Sequence, residues 1–329
     1  MLKAAIIGLG WWGCTLARAL ADSEALRPVL GVDPDERART AGADAGLATG
    51  ARFEDALSRR DIEAIILCTP HKYHASQIIA AAAAGKHVFC EKPLCVDPTE
   101  AEAAFAAVFK AGVQLGVGHE RRFEPAMVEL RRRFAAGEFG AALVLEGNFS
   151  QDKFLALPPD NWRLSATEAP VGPLSATGIH LVDLSIALFG APFEIWARLS
   201  TRATNFANGD TLAITLAFRN GATALLTAIL TTPFAGRLAV YGSKGWMEIR
   251  DRTHPEQPTG WDVTTSMRNE APQSRFFPPH AALRDNLEAF ARACTCGPPY
   301  PVTLDEMRAN VRAFAAISRS ALSGRLVRV

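Results

Sequence analysis

Three glycines in a G-x-G-x-x-G spacing, Gly8, Gly10 and Gly13, directly follow the short apolar run Ala4–Ile7. Each position has a distinct physical job. Gly8 permits a tight turn off a strand, Gly10 lets the backbone approach a pyrophosphate, and Gly13 lets a following helix pack close to the sheet. The N-terminus of that helix offers unpaired N–H groups and the positive end of its dipole to phosphate. A second apolar run closes on Asp33, 20 residues after Gly13, placed to accept hydrogen bonds from the hydroxyls of an adenosine ribose. The chemistry is dinucleotide binding. A carboxylate at Asp33 repels a 2′-phosphate and so favours NAD, while Arg37 and Arg39 nearby keep NADP possible. Trp11 and Trp12 lie inside the glycine loop, either covering the cofactor or filling the domain junction.

Three further segments carry reactive side chains. Thr69, Pro70 and His74 follow the apolar run Ala64–Cys68, where a nicotinamide ring could lie; His74 either caps its own helix or lines that pocket. Glu91, Lys92 and Pro93 follow the run His87–Cys90. The third segment begins at Trp162-Arg163 and continues through Thr177, His180 and Asp183. Trp162 with Arg163 suits a sugar site, an aromatic face beside a donor fork, or simply anchors a loop. Arg121 and Arg122 read as an anion site or as an interdomain ion pair. Asp183 caps, pairs with an arginine, binds substrate hydroxyls or orients His180.

These residues need a scaffold, and the pattern supplies one. Ala4–Ile7, Val29–Val32, Ala64–Cys68, His87–Cys90 and Gln114–Val117 are nearly continuous apolar runs, as in parallel strands covered on both faces. Alanine-rich helical stretches lie between them, among them Ala75–Ala84 stopped by Gly85 and Pro98–Lys110 stopped by Gly112. This predicts a doubly wound parallel sheet with ligands at the carboxyl ends of its strands. After Arg121 the pattern changes. A helix over Pro125–Ala136 precedes alternating strands at Leu143–Ser150, Phe193–Ser200, Thr211–Phe218, Ala222–Thr231, Leu238–Tyr241 and Trp246–Ile249. Asn220-Gly221 between two of these signals a hairpin. Arg252–Pro279 reads as loop, and Ala281–Ala293 and Thr303–Leu322 as closing helices. The chain is therefore an α/β protein of two domains, 1–121 and 122–329, the second a large, mostly antiparallel sheet with helices on one face.

Bulk properties exclude several classes. Lys+Arg number 35 and Asp+Glu 34, so a net charge of +1 gives no electrostatic case for nucleic acid or a membrane surface. No apolar run is long enough to span a bilayer. The N-terminal run holds the glycine turn, so reading it as a cleaved leader would destroy the phosphate site. Of the six cysteines, Cys14, Cys68, Cys90, Cys95, Cys294 and Cys296, none forms a C-x-x-C pair. Neither metal nor disulfide is expected, which fits a reduced cytoplasm.

The motifs together resemble the Gfo/Idh/MocA family, the glucose–fructose oxidoreductase and inositol dehydrogenase group. The likeness runs through the glycine loop, T-P-x-x-x-H at Thr69–His74, A-G-K-H-V-x-x-E-K-P at Ala84–Pro93, the W-R pair, G-x-H-x-x-D at Gly178–Asp183, and Gly242-Ser-Lys-Gly245. It implies a Rossmann domain joined to an α/β domain whose open sheet commonly mediates oligomers, here a homodimer or homotetramer. It also implies NAD(P)-dependent hydride transfer to or from a secondary alcohol or ketone of a sugar, sugar derivative or cyclitol. By position, Lys92 resembles the family's active-site lysine and His180 its catalytic histidine, a general base on the substrate hydroxyl. The family often carries an aspartate four residues before that histidine, where this chain has Ala176. That departure keeps an alternative open, an NAD-binding sensor or scaffold of the same fold with little turnover.

Overall fold

The computed structural model describes residues 1–329. The chain divides into two compact units, Met1–Glu120 with Ala281–Arg308, and Arg121–His280 with Ala309–Val329.

The first unit alternates strand and helix: β1 Leu2–Ile7, α1 Trp11–Ala19, β2 Leu26–Val32, α2 Glu36–Asp44, β3 Ala48–Gly50, α3 Phe53–Ser58, β4 Ala64–Leu67, α4 His74–Ala83, β5 His87–Cys90, α5 Pro98–Ala111 and β6 Leu115–Val117. Its six strands are all parallel, in the order β3-β2-β1-β4-β5-β6. Every residue of β4 is fully buried, which is why that run is apolar throughout. The helix ends obey local chemistry. Asp97 caps α5 by accepting from the Thr99 and Glu100 N–H groups, Pro98 occupies its first turn, and Gly112 closes it at a φ of 66°. β3 has only three residues, largely exposed, and no hydrophobic period announces it. The strand order reverses between β1 and β4, and a doubly wound sheet opens its ligand crevice at that point.

The second unit contains α6 Pro125–Ala135, β7 Ala142–Ser150, α7 Ile179–Phe189, β8 Pro192–Ser200, β9 Thr211–Phe218, β10 Thr223–Ile229, β11 Ala235–Gly242, β12 Gly245–Asp251, β13 Trp261–Met267, β14 Gln273–Phe277 and, at the chain's end, β15 Val327–Arg328. They form a nine-stranded sheet in the order β14-β13-β12-β11-β7-β10-β9-β8-β15, antiparallel except where β7 meets β10. Gly221, at a φ of 89°, makes the tight turn between β9 and β10. The almost wholly buried α7 packs on the inner face, where Gly147 of β7 leaves room for Leu181. The stretch Arg252–Pro279, expected to be loop, contains β13 and β14. Both are polar strands at the sheet's margin, held by ladder hydrogen bonds to β12 and to each other, so they lack the apolar run that marks a core strand.

Two helices close the fold, α8 Ala282–Cys294 and α9 Leu304–Ser323. α8 returns to the first unit, which a single cut after Arg121 does not convey. Phe290 of α8 meets Phe89 with ring centroids 5.6 Å apart, and Gly116 of β6 lies beneath both rings. The Tyr300 hydroxyl donates to Asn286, whose amide donates to the Val117 carbonyl at 3.0 Å, covering the free edge of β6.

Candidate active site

In the first unit the structure gathers Gly8, Gly10, Gly13, Asp33, Thr69, Pro70, Glu91 and Lys92 at the carboxyl ends of β1, β2, β4 and β5. Gly8 has a φ of 94°, and a Cβ there would come within 2.7 Å of the Cys68 carbonyl oxygen. A Cβ on Gly13 would sit 1.9 Å from the Gly8 oxygen, so α1 can start this close only with glycine. Above Gly10 a Cβ would meet nothing within 4 Å, leaving open the surface along which a diphosphate would lie. The Leu9 N–H donates to one oxygen of Asp33 at 2.8 Å and the Asp35 N–H to the other at 2.9 Å, fixing the carboxylate beside the glycine turn. The Arg39 guanidinium donates to the Asp33 and Pro34 carbonyls. That role holds the turn and leaves less of Arg39 for a 2′-phosphate. These residues fit a nicotinamide dinucleotide: Gly8, Gly10 and Gly13 would take its diphosphate and Asp33 its adenosine ribose.

His74 is fully buried, with its ring nitrogens 2.9 Å from the Pro93 and Thr69 carbonyl oxygens. Burial pushes its pKa down although both carbonyls favour the imidazolium. The ring therefore ties the Thr69 loop to the Lys92–Pro93 turn, whose peptide bond is cis, and presents no surface to a cofactor. Trp11 is 59% exposed, and Trp12 turns its indole N–H toward Glu91 without closing a full hydrogen bond. The bare α-carbon of Gly118 lies against the Glu91 carboxylate, which accepts from the Lys92 N–H at 3.2 Å.

Burial raises the Glu91 pKa to about 7 against the pull of Trp12 and Lys92. A carboxyl whose folded-state pKa lies above its ordinary 4.5 contributes stability that is complete at acid pH and is lost as pH rises toward 7. Glu91→Gln should therefore stabilise the protein at pH 8 by up to about 3 kcal/mol and leave it nearly unchanged at pH 4.5. Denaturant midpoints measured at the two pH values check this. An equal shift at both would mean that Glu91 does not titrate in this range.

In the second unit, His180 lies on α7, buried, with its ring 5.7 Å from that of Phe149 on β7. The residues just before α7, Leu174–Gly178, form a π turn, a distortion frequent at functional sites. Ala176 keeps partial exposure within the otherwise buried stretch from Val171 to Ile186. Thr177 is buried, its hydroxyl directed at the Pro173 carbonyl.

Arg121 and Asp183, read as substrate residues or as members of ion pairs, belong to buried ion pairs, and both pairs lie within the second unit rather than between domains. Arg122 grips Asp183 through two bonds of 2.6 and 2.7 Å. Arg121 pairs with Glu124 and with Asp251. Burial pulls the Arg121 pKa down, but its two carboxylates outweigh that and hold it up. Two acids share one guanidinium, so burial, together with the Asp251 charge, drives Glu124 up to about 7. Trp162 and Arg163 stack on each other, the guanidinium carbon 4.4 Å from the ring centroid, in a short turn capped by Asn161. Burial lowers the Arg163 pKa.

Sequence reasoning gave no role to His254, since it falls in the stretch read as loop. The structure puts its ring 5.6 Å from Phe149, the residue that also meets His180. Only the end of the β7 pattern could have drawn attention to Phe149 and Gln151.

A six-stranded parallel sheet with a glycine turn and an aspartate at its switch point, joined to an α/β unit that carries a buried histidine, defines a dinucleotide-dependent oxidoreductase. Residues 2–119 match the oxidoreductase family with the NAD-binding Rossmann fold, and residues 127–248 match the GFO/IDH/MocA C-terminal domain. The chain belongs to the GFO/IDH/MocA oxidoreductase family. Among curated relatives, the uncharacterized oxidoreductase YrbE of Bacillus subtilis is 32% identical over 65% of this chain, a match spanning 62% of YrbE. The scyllo-inositol 2-dehydrogenase (NAD(+)) of the same organism is 28% identical over 98% of this chain and 95% of its own length. Among solved structures, the aldose-aldose oxidoreductase from Caulobacter crescentus, complexed with glycerol, superimposes with a TM-score of 0.88 at 27% identity, covering 100% of this chain and 99% of the other. No helix of this chain is long and apolar enough to cross a membrane.

Proposed function

We propose that this protein is an NAD-dependent dehydrogenase interconverting a secondary alcohol and a ketone on a cyclic polyol or sugar. The observation that carries the reading is Lys92, half-buried at the carboxyl end of β5, on the same sheet edge as the glycine turn of an NAD-binding family. Bound NAD would supply the hydride acceptor. In this reading His180 accepts the proton of the reacting hydroxyl, and the Lys92 ammonium stabilises the negative charge that develops on its oxygen. The relatives named for an inositol and an aldose support the substrate class, and Asp33 supports NAD over NADP.

The assembly we propose is a homodimer or homotetramer through the outer face of the nine-stranded sheet, where Trp196, Thr215 and Leu225 align across β8, β9 and β10 with Trp196 and Leu225 exposed. A cytoplasmic location accords with six cysteines that are all free.

The test is to incubate the purified chain with NAD or NADP and scyllo-inositol, D-xylose or D-gluconate, following absorbance of the reduced nicotinamide. Turnover of a polyol or aldose, with NAD preferred, is expected. Calorimetry showing no NAD affinity, or NAD binding without turnover of any compound, would overturn the proposal.

A further inference from the structure

The order of the parallel sheet leaves one direction for the second half of a dinucleotide. With its diphosphate on the glycine turn after β1 and its adenosine on Asp33 after β2, the carboxyl ends of β4 and β5 remain for the nicotinamide half. Glu91 directly follows β5 and is only 5% exposed. Its Oε2 accepts from the Lys92 N–H at 3.2 Å, while its Oε1 is buried with no hydrogen-bond partner. The Trp12 indole N–H comes from the first turn of α1, is turned to the same carboxylate, and is likewise buried without a partner. A Cβ on Gly118, just after β6, would come within 2.5 Å of Oε2, so only glycine lets the carboxylate lie this deep. The donors around Glu91 favour its charged form and burial opposes them, which leaves the carboxyl near neutrality, at about 7. The titratable groups that face it are Lys92 in its own turn and the Cys68 and Cys90 thiols at the ends of β4 and β5. Burial raises both thiols, so they stay neutral. α1 contributes Trp12 and the segment after β6 contributes Gly118, neither of them charged.

We propose that Glu91 lets this site distinguish the two redox states of the dinucleotide, acting as the counter-charge that admits the cationic, oxidised ring and giving up a proton to do so. This deepens the dehydrogenase reading above and rests on it. An oxidised nicotinamide carries a positive charge that the reduced ring lacks. The Lys92 ammonium, at the same strand end, would repel that charge and be indifferent to the neutral ring. A carboxylate at Glu91 cancels the repulsion, and the arriving cation in turn favours its ionisation. The proton leaves to solvent, and no bond to the cofactor is made. The reduced ring gives no such push, so NADH binds without releasing a proton from Glu91.

The experiment is calorimetric titration of wild type, Glu91→Gln and Trp12→Phe with NAD and with NADH, without substrate, between pH 6 and 8 and in two buffers of different ionisation heat. If NAD lowers the carboxyl from about 7 to about 6, wild type should bind NAD about fivefold tighter at pH 8 than at pH 6 and release about half a proton at pH 6.5. NADH affinity should stay flat over this range. Glu91→Gln should hold NAD affinity at its low-pH level and release no proton, with NADH binding unchanged. A glutamate that only supports the fold would move both forms of the cofactor alike. Trp12→Phe removes a donor that favours the anion, so the rise in NAD affinity should move to higher pH. Equal pH dependence for NAD and NADH, or a proton release that persists in Glu91→Gln, overturns this inference and leaves the dehydrogenase reading standing. If wild type binds neither form, both readings fall. Should Glu91→Gln fail to fold, the wild-type proton count and Trp12→Phe decide: no proton released with NAD, or a rise at unchanged pH in Trp12→Phe, overturns the inference.

Discussion

Replacing Lys92 with Met, or His180 with Ala, lowers kcat by about three orders of magnitude and leaves NAD bound. The size follows from what each group would do. A positioned general base contributes about 10²–10⁴-fold, and one donor placed against a developing oxyanion about 10²–10³-fold. Cofactor affinity should survive, because in the proposed reading other groups hold the dinucleotide: the main chain around Gly8, Gly10 and Gly13, and the carboxylate of Asp33 held by the Leu9 and Asp35 N–H groups. Lys92→Arg should not restore the rate. A planar guanidinium cannot place a point charge where a compact ammonium sat, and its pKa keeps it charged throughout. The measurements are steady-state kinetics on the best probe and calorimetric titration with NAD. If the His180 variant retains more than about a tenth of wild-type kcat, proton abstraction by His180 is wrong.

What could be read before the fold was known follows the strength of the local constraint. The glycine turn was legible because its backbone permits little else: a Cβ on Gly8 or Gly13 collides with a backbone oxygen. The core strands were legible because β4 and β5 are covered on both faces and must be apolar throughout. β13 and β14 were not, since marginal strands need only a ladder partner. The roles of Arg121 and Asp183 stayed open between ligand and ion pair for another reason. An arginine that binds an anion and one that neutralises a buried acid are the same letter, and the acids concerned, Asp251 and Asp183, lie 130 and 61 residues away along the chain. Ala176 was compared with His180 on α-helical spacing, but Leu174–Gly178 is a π turn, and a wider turn alters the register between them. His254 gave no signal because the groups it meets, Phe149 and Lys153, are distant in the chain, Lys153 by 101 residues.

The Arg122–Asp183 pair carries the second large effect. Both side chains are almost wholly buried, 1% and 2% exposed, and joined by two short bonds. Arg122→Met should destabilise the protein by about 3–5 kcal/mol, because it removes the arginine that offsets the charge of a carboxylate water cannot reach. The double variant Arg122→Met/Asp183→Leu should recover most of that loss, since two apolar side chains of similar volume replace an ion pair whose desolvation cost is high. Breaking the Arg252–Asp262 pair, about half exposed on both sides, should change stability little and serves as the control. Stability and activity should then separate. Asp183 lies three residues after His180 on α7, so its bond to Arg122 fixes that helix against the turn that carries Arg122. In the double variant α7 stays folded but loses this anchor, and kcat should remain about tenfold or more below wild type although the denaturation midpoint has returned. A double variant no more stable than Arg122→Met would show that the single change acts through lost packing rather than through an unpaired charge. Full recovery of kcat would show that the pair holds the fold without positioning His180.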